Sequence, residues 1–148
     1  LAASVEIGAS LGGAQPAQLA ALRQFGESLG LAFQIQDDIL GIWGDEQMTG
    51  KSAASDILAR KKSLPVLYAL NGTQGAALRE LYAHARFTAD EVPAVLDRLA
   101  AAGARPYAAS LVETYSMAAL QALHEADLVL PAGDLLRDLA LGLLDRQT

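Results

Sequence analysis

Residues 33 to 65 read FQIQDDILGIWGDEQMTGKSAASDILARKKSLP. Two adjacent carboxylates, Asp37 and Asp38, stand in an apolar run, and the cations Lys51, Arg60, Lys61 and Lys62 follow them. Carboxylate oxygens suit a hard ion such as Mg2+, which takes one or two of them and fills its shell with waters and phosphate oxygens. Lysine offers phosphate a point charge and arginine a bidentate fork. Together these groups suit the departure of a diphosphate. The metal bridges the oxygens while lysines take up charge as a C–O bond breaks.

At about 100° per residue, Gln34, Asp38, Gly41 and Asp45 fall in one arc with Asp37. Leu31, Phe33, Ile35, Ile39, Leu40, Ile42 and Trp43 fill most of the rest, interrupted by Gln36. The pattern predicts a helix apolar almost all round with a narrow acidic seam, unlike a surface helix. Gly41 leaves the centre of that seam without a side chain, as room for a ligand. Paired carboxylates in an apolar wall are costly unless positive charge compensates them. The competing account is a solvated pair on a less buried helix, with Arg60, Lys61 and Lys62 as an ordinary solvated charge run. Basic residues in a first helical turn oppose the macrodipole, which points to another use for them.

The elements that must position these groups are all helical. Ala and Leu dominate and strand-like alternation is missing, so the predicted fold class is all-α. A first helix runs from Leu1 to Leu11 and stops at Gly12 and Gly13. Pro16 opens a long second helix to about Gly44. A loop spans Gly44 to Ser55. A third helix covers Asp56 to Leu70, kinked or restarted at Pro65. Asn71-Gly72 is a turn, and a short helix follows from Gln74 to Ala85. Thr88 with Glu91 forms a capping-box pattern opening a helix to about Ala102. Gly103 ends it, Pro106 starts a helix to about Leu128, and Pro131 starts the last, to about Leu144. No repeat or linker is visible, so residues 1–148 are read as part of a single domain. The chain starts inside a helix-like run, and the expectation is that it is a piece of something longer.

Composition narrows the function. Of 148 residues none is Cys, which removes disulfides and thiolate metal sites and agrees with a cytoplasmic setting. A net charge of −6 argues against a nucleic-acid binder held by phosphate contacts. No uninterrupted apolar run is long enough to predict a membrane span. His84 and His124 fall on separate helices and read as surface or core residues. Tyr107 and Tyr115 read as core or interface residues, and Glu113, Glu125 and Asp127 as solvated faces.

The stretch resembles the trans-isoprenyl diphosphate synthases, the polyprenyl synthetase family. Their second aspartate-rich motif is Phe-Gln, two residues, then Asp-Asp-x-x-Asp. Here it stands as Phe33, Gln34, Ile35, Gln36, Asp37, Asp38, Ile39, Leu40 and Gly41. Gly44-Asp45, Thr49-Gly50-Lys51, Asp56-Ile57 and Lys61-Lys62-Ser63-Leu64-Pro65 continue the family pattern. The resemblance implies the C-terminal half of a helical bundle of the isoprenoid synthase type. It implies Asp37 as principal Mg2+ ligand with Asp38 assisting, and Gln34, Lys51 and Lys61 on an allylic diphosphate. Asp37, Asp38, Lys51 and Lys61 would serve catalysis, Lys62 sits at a variable position, and Phe33 would pack beside the substrate pocket. The implied reaction is head-to-tail condensation of isopentenyl diphosphate with an allylic diphosphate. The implied assembly is a homodimer, with the small-residue segments Leu1 to Leu11 and Leu19 to Leu31 as interface candidates.

Two departures stand out. Gly41 replaces the motif's third Asp, with Asp45 one turn on as a partial substitute. The family's N-terminal half, with its first aspartate-rich motif and its isopentenyl diphosphate site, is absent, so these residues alone are expected not to catalyse condensation. The alternatives are a terpene cyclase of the same fold and a noncatalytic helical subunit that binds a partner. Thr49-Gly50-Lys51 and the Lys-x-Ser-x-Pro pattern favour the synthase.

Overall fold

The computed structural model describes residues 1–44, 54–73, 75–83 and 87–144. Among them every regular element is helical: α1 (Ala2–Leu11), α2 (Pro16–Trp43), α3 (Ser55–Leu58), α4 (Leu64–Asn71), α5 (Gly75–Ala83), a 3-10 turn (Ala89–Glu91), α6 (Val92–Ala101), α7 (Ala104–Glu125) and α8 (Ala132–Leu144). The all-α expectation holds. So do most of the sequence punctuation marks, each for a local reason. Gly13 adopts φ +75°, and the amides of Gly13 and Ala14 turn back to the carbonyls of Ser10 and Ala9, closing α1 in a Schellman motif. Pro16 is the first residue of α2, where its missing N–H costs nothing. The Thr88 amide donates to Glu91 Oε2 at 2.8 Å, the backbone half of a capping box.

Two boundaries differ from expectation. The helix predicted over 56–70 is two helices, α3 and α4, with residues 59–63 outside either. Pro65, in the first turn of α4, marks a fresh start and not a kink. The helix predicted from Pro106 to Leu128 is α7, which begins at Ala104 and ends at Glu125. Gly103 turns the chain at φ +68°, so Pro106 falls in a first turn whose amides have no helical acceptor anyway. Gln74, Ala85 and most of the loop predicted over 44–55 lie outside the described residues.

The chain forms two compact units. In the first, residues 1–34 and 111–144, Leu22, Phe25 and Leu29 form one buried stripe of α2. They pack with Ala119, Ala122, Leu123, Ala126 and Ala140. Gly26 permits a close crossing: a Cβ there would lie 2.8 Å from Ala2 Cα. Gln18 Nε2 donates to the Ala126 carbonyl at 3.1 Å. None of the ten residues of α1 is buried.

The second unit, Ile35–Ser110, carries the acidic pair. Its core contains Ile42, Ile57, Val66, Leu78, Tyr82, Phe87, Val95 and Leu99, drawn from α2 to α6. Tyr82 and Phe87 meet edge to face with centroids 5.0 Å apart. Tyr107 is not a core residue; it stacks on Tyr68 at 3.9 Å with both rings partly exposed.

Leu99 is fully buried in this core. Leu99→Ala is expected to lower stability by about 2–5 kcal/mol in chemical denaturation, through lost transfer energy and the residual cavity. Met117→Ala, at an exposed position, should stay within about 0.5 kcal/mol. Burial pushes the Tyr82 phenol up to about 12, against the lowering effect of nearby Arg60. The unfolded phenol ionises near pH 10 while the native one does not. Stability should therefore fall as pH rises from about 10 toward 12, and Tyr82→Phe should flatten that fall in pH-dependent melting curves.

Candidate functional site

The second half of α2 presents Asp37 and Asp38 on adjacent positions with unequal surroundings. Ile35, Ile39 and Ile42 anchor this part of the helix in buried positions. Asp38 is 6% exposed, whereas the Asp37 side chain keeps 34% of its surface. The seam is thus narrow but open at one edge. Asp38 is tied at both oxygens. Oδ2 accepts the Leu64 amide at 2.9 Å, capping one of the unpaired amides that begin α4. Oδ1 lies 3.0 Å from Lys61 Nζ.

Lys61 is the hub. Its ammonium also lies 3.0 Å from Asp56 Oδ2 and 3.9 Å from Asp37 Oδ2. Burial alone would lower its pKa, but the hydrogen bonds and charges of Asp56 and Asp38 outweigh burial and push it up to about 12. The local backbone puts it there. The Lys61 amide returns to the Asp56 carbonyl at 2.9 Å and the Arg60 amide to the Ile57 carbonyl at 2.8 Å. This is a Schellman closure of α3 with Arg60 in the left-handed position at φ 55°. A non-glycine residue there costs about 1–2 kcal/mol. Arg60 offsets it by donating to the Tyr82 carbonyl and lying over the Phe87 ring at 5.6 Å.

The basic cluster therefore divides. Lys61 faces the carboxylates, the Arg60 guanidinium turns into the core, and Lys62 is exposed. None of the three lies in a first helical turn, since residues 59–63 are not helical. The room expected at Gly41 is also differently used. A Cβ built there would collide with the Asp56 carboxyl carbon and Oδ2, so the Asp56 carboxylate occupies the space. Phe33, half-buried, and Gln34, exposed, precede the pair on α2. Lys51, Asp45 and His84 lie outside the described residues. Sequence reasoning gives Asp56 no role. Its only signals are its place in the family pattern and its spacing of five from Lys61.

Among the described residues no group of three or more His, Cys, Asp or Glu side chains is placed to hold a metal ion by itself. Mg2+ asks for less: one or two carboxylates, with water and phosphate oxygens completing an octahedron. The donor set fits that requirement. Its oxygens already converge on a cation, the Lys61 ammonium, and three carboxylates exceed its single charge.

The family profile described as polyprenyl synthetase matches residues 1–99. A geranylgeranyl diphosphate synthase of Mycobacterium tuberculosis is 42% identical over 81% of this chain and 35% of its own length. The crystal structure of a polyprenyl synthetase from Streptomyces coelicolor superposes with TM-score 0.83 at 39% identity, covering 98% of this chain and 44% of that one. A geranylgeranyl pyrophosphate synthase from Corynebacterium glutamicum, complexed with isoprenyl diphosphate and magnesium, superposes with TM-score 0.79 at 27% identity, covering 95% and 41%. The chain belongs to the polyprenyl synthetase family. It spans less than half the length of each of these relatives.

Removing Asp38 leaves the Leu64 amide and Lys61 short of a partner. Asp38→Ala is expected to cost about 1–3 kcal/mol, and Asp38→Asn less, because its amide oxygen still accepts from Leu64; urea denaturation compares them. Lys61 has its pKa raised on folding, so its stabilising effect is complete below about pH 10.4 and vanishes as pH rises through about 12. The stability difference between the wild type and Lys61→Gln should be flat from pH 7 to 9 and shrink across that upper window.

Proposed function

We propose that this chain carries the allylic-diphosphate half of the active site of a Mg2+-dependent isoprenyl diphosphate synthase. The observation that carries the reading is the convergence of Asp37, Asp38 and Asp56 on Lys61, in a chain of this family. Names of the similar proteins favour a synthase over a terpene cyclase or a noncatalytic subunit. Asp37 is the principal metal ligand, because it is the more exposed and least committed carboxylate. Asp38 assists while fixing α4 and Lys61. Gln34, Lys51 and Lys61 bind the allylic diphosphate, and Phe33 packs beside its pocket.

Bound Mg2+ would polarise the diphosphate oxygens and stabilise the charge they gain. Lys61 keeps its proton at working pH and places a fixed positive charge beside the departing group, where it matters more in the transition state than before it. The allylic C–O bond breaks with its electron pair leaving on diphosphate. The isopentenyl diphosphate double bond attacks the allylic carbon, and a proton is then lost from the new chain. In this reading the protein works in the cytoplasm as a homodimer. The wide exposure of Ile7 and Leu11 on α1 supports a further partner surface, and no described helix is long and apolar enough to cross a membrane.

Mg2+ together with inorganic pyrophosphate should raise the melting temperature of the chain, while either alone gives a smaller shift. Asp37→Ala should remove the combined shift without lowering the unliganded melting temperature by more than a few degrees. No shift in the wild type, or an undiminished one in Asp37→Ala, contradicts the reading.

A further inference from the structure

The seam of α2 has no side chain at Gly41, one turn beyond Asp37, and a carboxylate from another helix fills the place. We propose that Gly41 and Asp56 form one positioning unit: the bare Cα of Gly41 lets the Asp56 carboxylate lie against α2 and hold Lys61 across the Asp37–Asp38 pair. The inference rests on the proposed function for its consequence, though its geometry stands apart from it.

The backbone around Asp56 has little freedom. Ile57 beside it is fully buried in the core, and the Asp56 carbonyl is held by the Lys61 amide at 2.9 Å. The Asp56 side chain keeps 14% of its surface. What remains movable is the carboxylate, by rotation about the side-chain bonds. A methyl group at position 41 would collide with the carboxyl carbon and Oδ2 and stand 2.9 Å from Oδ1. The carboxylate has to turn away, and turning takes it off the Lys61 ammonium that it now meets at 3.0 Å. Lys61, whose side chain is 41% exposed, is then held by Asp38 at 3.0 Å and by the more distant Asp37 alone. Among the described residues these two carboxylates are then its ion-pair partners, and a long flexible side chain so held no longer keeps its ammonium facing the pair in one fixed geometry. Gly41 therefore acts through Asp56, and Asp56 through Lys61. Where position 41 has no side chain, a carboxylate from α3 lies against α2.

The test uses the 148-residue chain with Gly41→Ala, Asp56→Asn and the double variant. Three readouts apply: the Lys61 ammonium signal in nitrogen-detected NMR, the circular-dichroism melting curve, and calorimetric binding of Mg2+ with inorganic pyrophosphate. A shared pathway predicts that each single variant keeps its helical melting transition, loses the slowly exchanging Lys61 signal and binds about tenfold more weakly. The double variant should be no worse than either single one, because both break the same link. A Lys61 signal and affinity unchanged in Gly41→Ala, or losses that multiply to about a hundredfold in the double variant, overturn the proposal. If Gly41→Ala does not fold, Asp56→Asn decides, and an unaltered Lys61 signal overturns it. If both variants lose the signal but the wild type binds no Mg2+–pyrophosphate, the positioning unit stands and the proposed function falls.

Discussion

Three carboxylates cannot sit together on partly buried surface without compensation. Like charges raise one another's energy and burial removes the water that would screen them. Lys61 supplies that compensation within the chain, and much of the second unit is arranged to keep it in place. The Schellman turn after α3 brings the Lys61 backbone back onto Asp56. Arg60 accepts an unfavourable backbone angle to make the turn and recovers stability from Tyr82 and Phe87. Asp38 spends its other oxygen on the first amide of α4, so the helix start and the ion cluster are one structure.

The cluster distributes freedom unevenly, and the unevenness suits its proposed chemistry. Asp38 is buried and doubly engaged, which makes it a fixed point. Asp37 is a third exposed and only loosely paired, so it can turn toward an incoming cation at little cost. Lys61 carries a charge made more secure by its partners, yet its side chain reaches solvent. A Mg2+–diphosphate unit entering such a group would bring opposite charges to both kinds of side chain, metal to carboxylate and phosphate to ammonium. Preorganised charge of this kind loses little to rearrangement when a leaving group develops its own.

Much of this was legible in the sequence because it depends on local chemistry. Gly12 and Gly13, Pro16 and the Thr88–Glu91 pair mark helix ends by rules that act within a few residues. The acidic pair stands out because apolar neighbours make paired carboxylates expensive, and Lys61 is singled out from its basic neighbours by the family resemblance. What was not legible depends on conformation that residue type does not announce. A Schellman closure ordinarily advertises itself with glycine; here Arg60 takes that position, so the break is placed at Pro65, as a kink or a restart, and the non-helical residues 59–63 before it are missed. The same turn sends Arg60 into the core and Lys61 to the carboxylates, although they are neighbours in a run of like charge. Gly41 reads as room for a ligand until the fold shows Asp56 lying in it.

The central claim is that this acidic group, with Lys61 beside it, is built to receive a divalent cation joined to a diphosphate. Crystals grown with Mn2+, a scatterer standing in for Mg2+, and inorganic pyrophosphate test it directly through anomalous diffraction. The account predicts a manganese peak on the Asp37 carboxylate, with pyrophosphate oxygens shared between the metal and Lys61 Nζ. A metal site remote from Asp37, or pyrophosphate bound with no contact to Lys61, would contradict it.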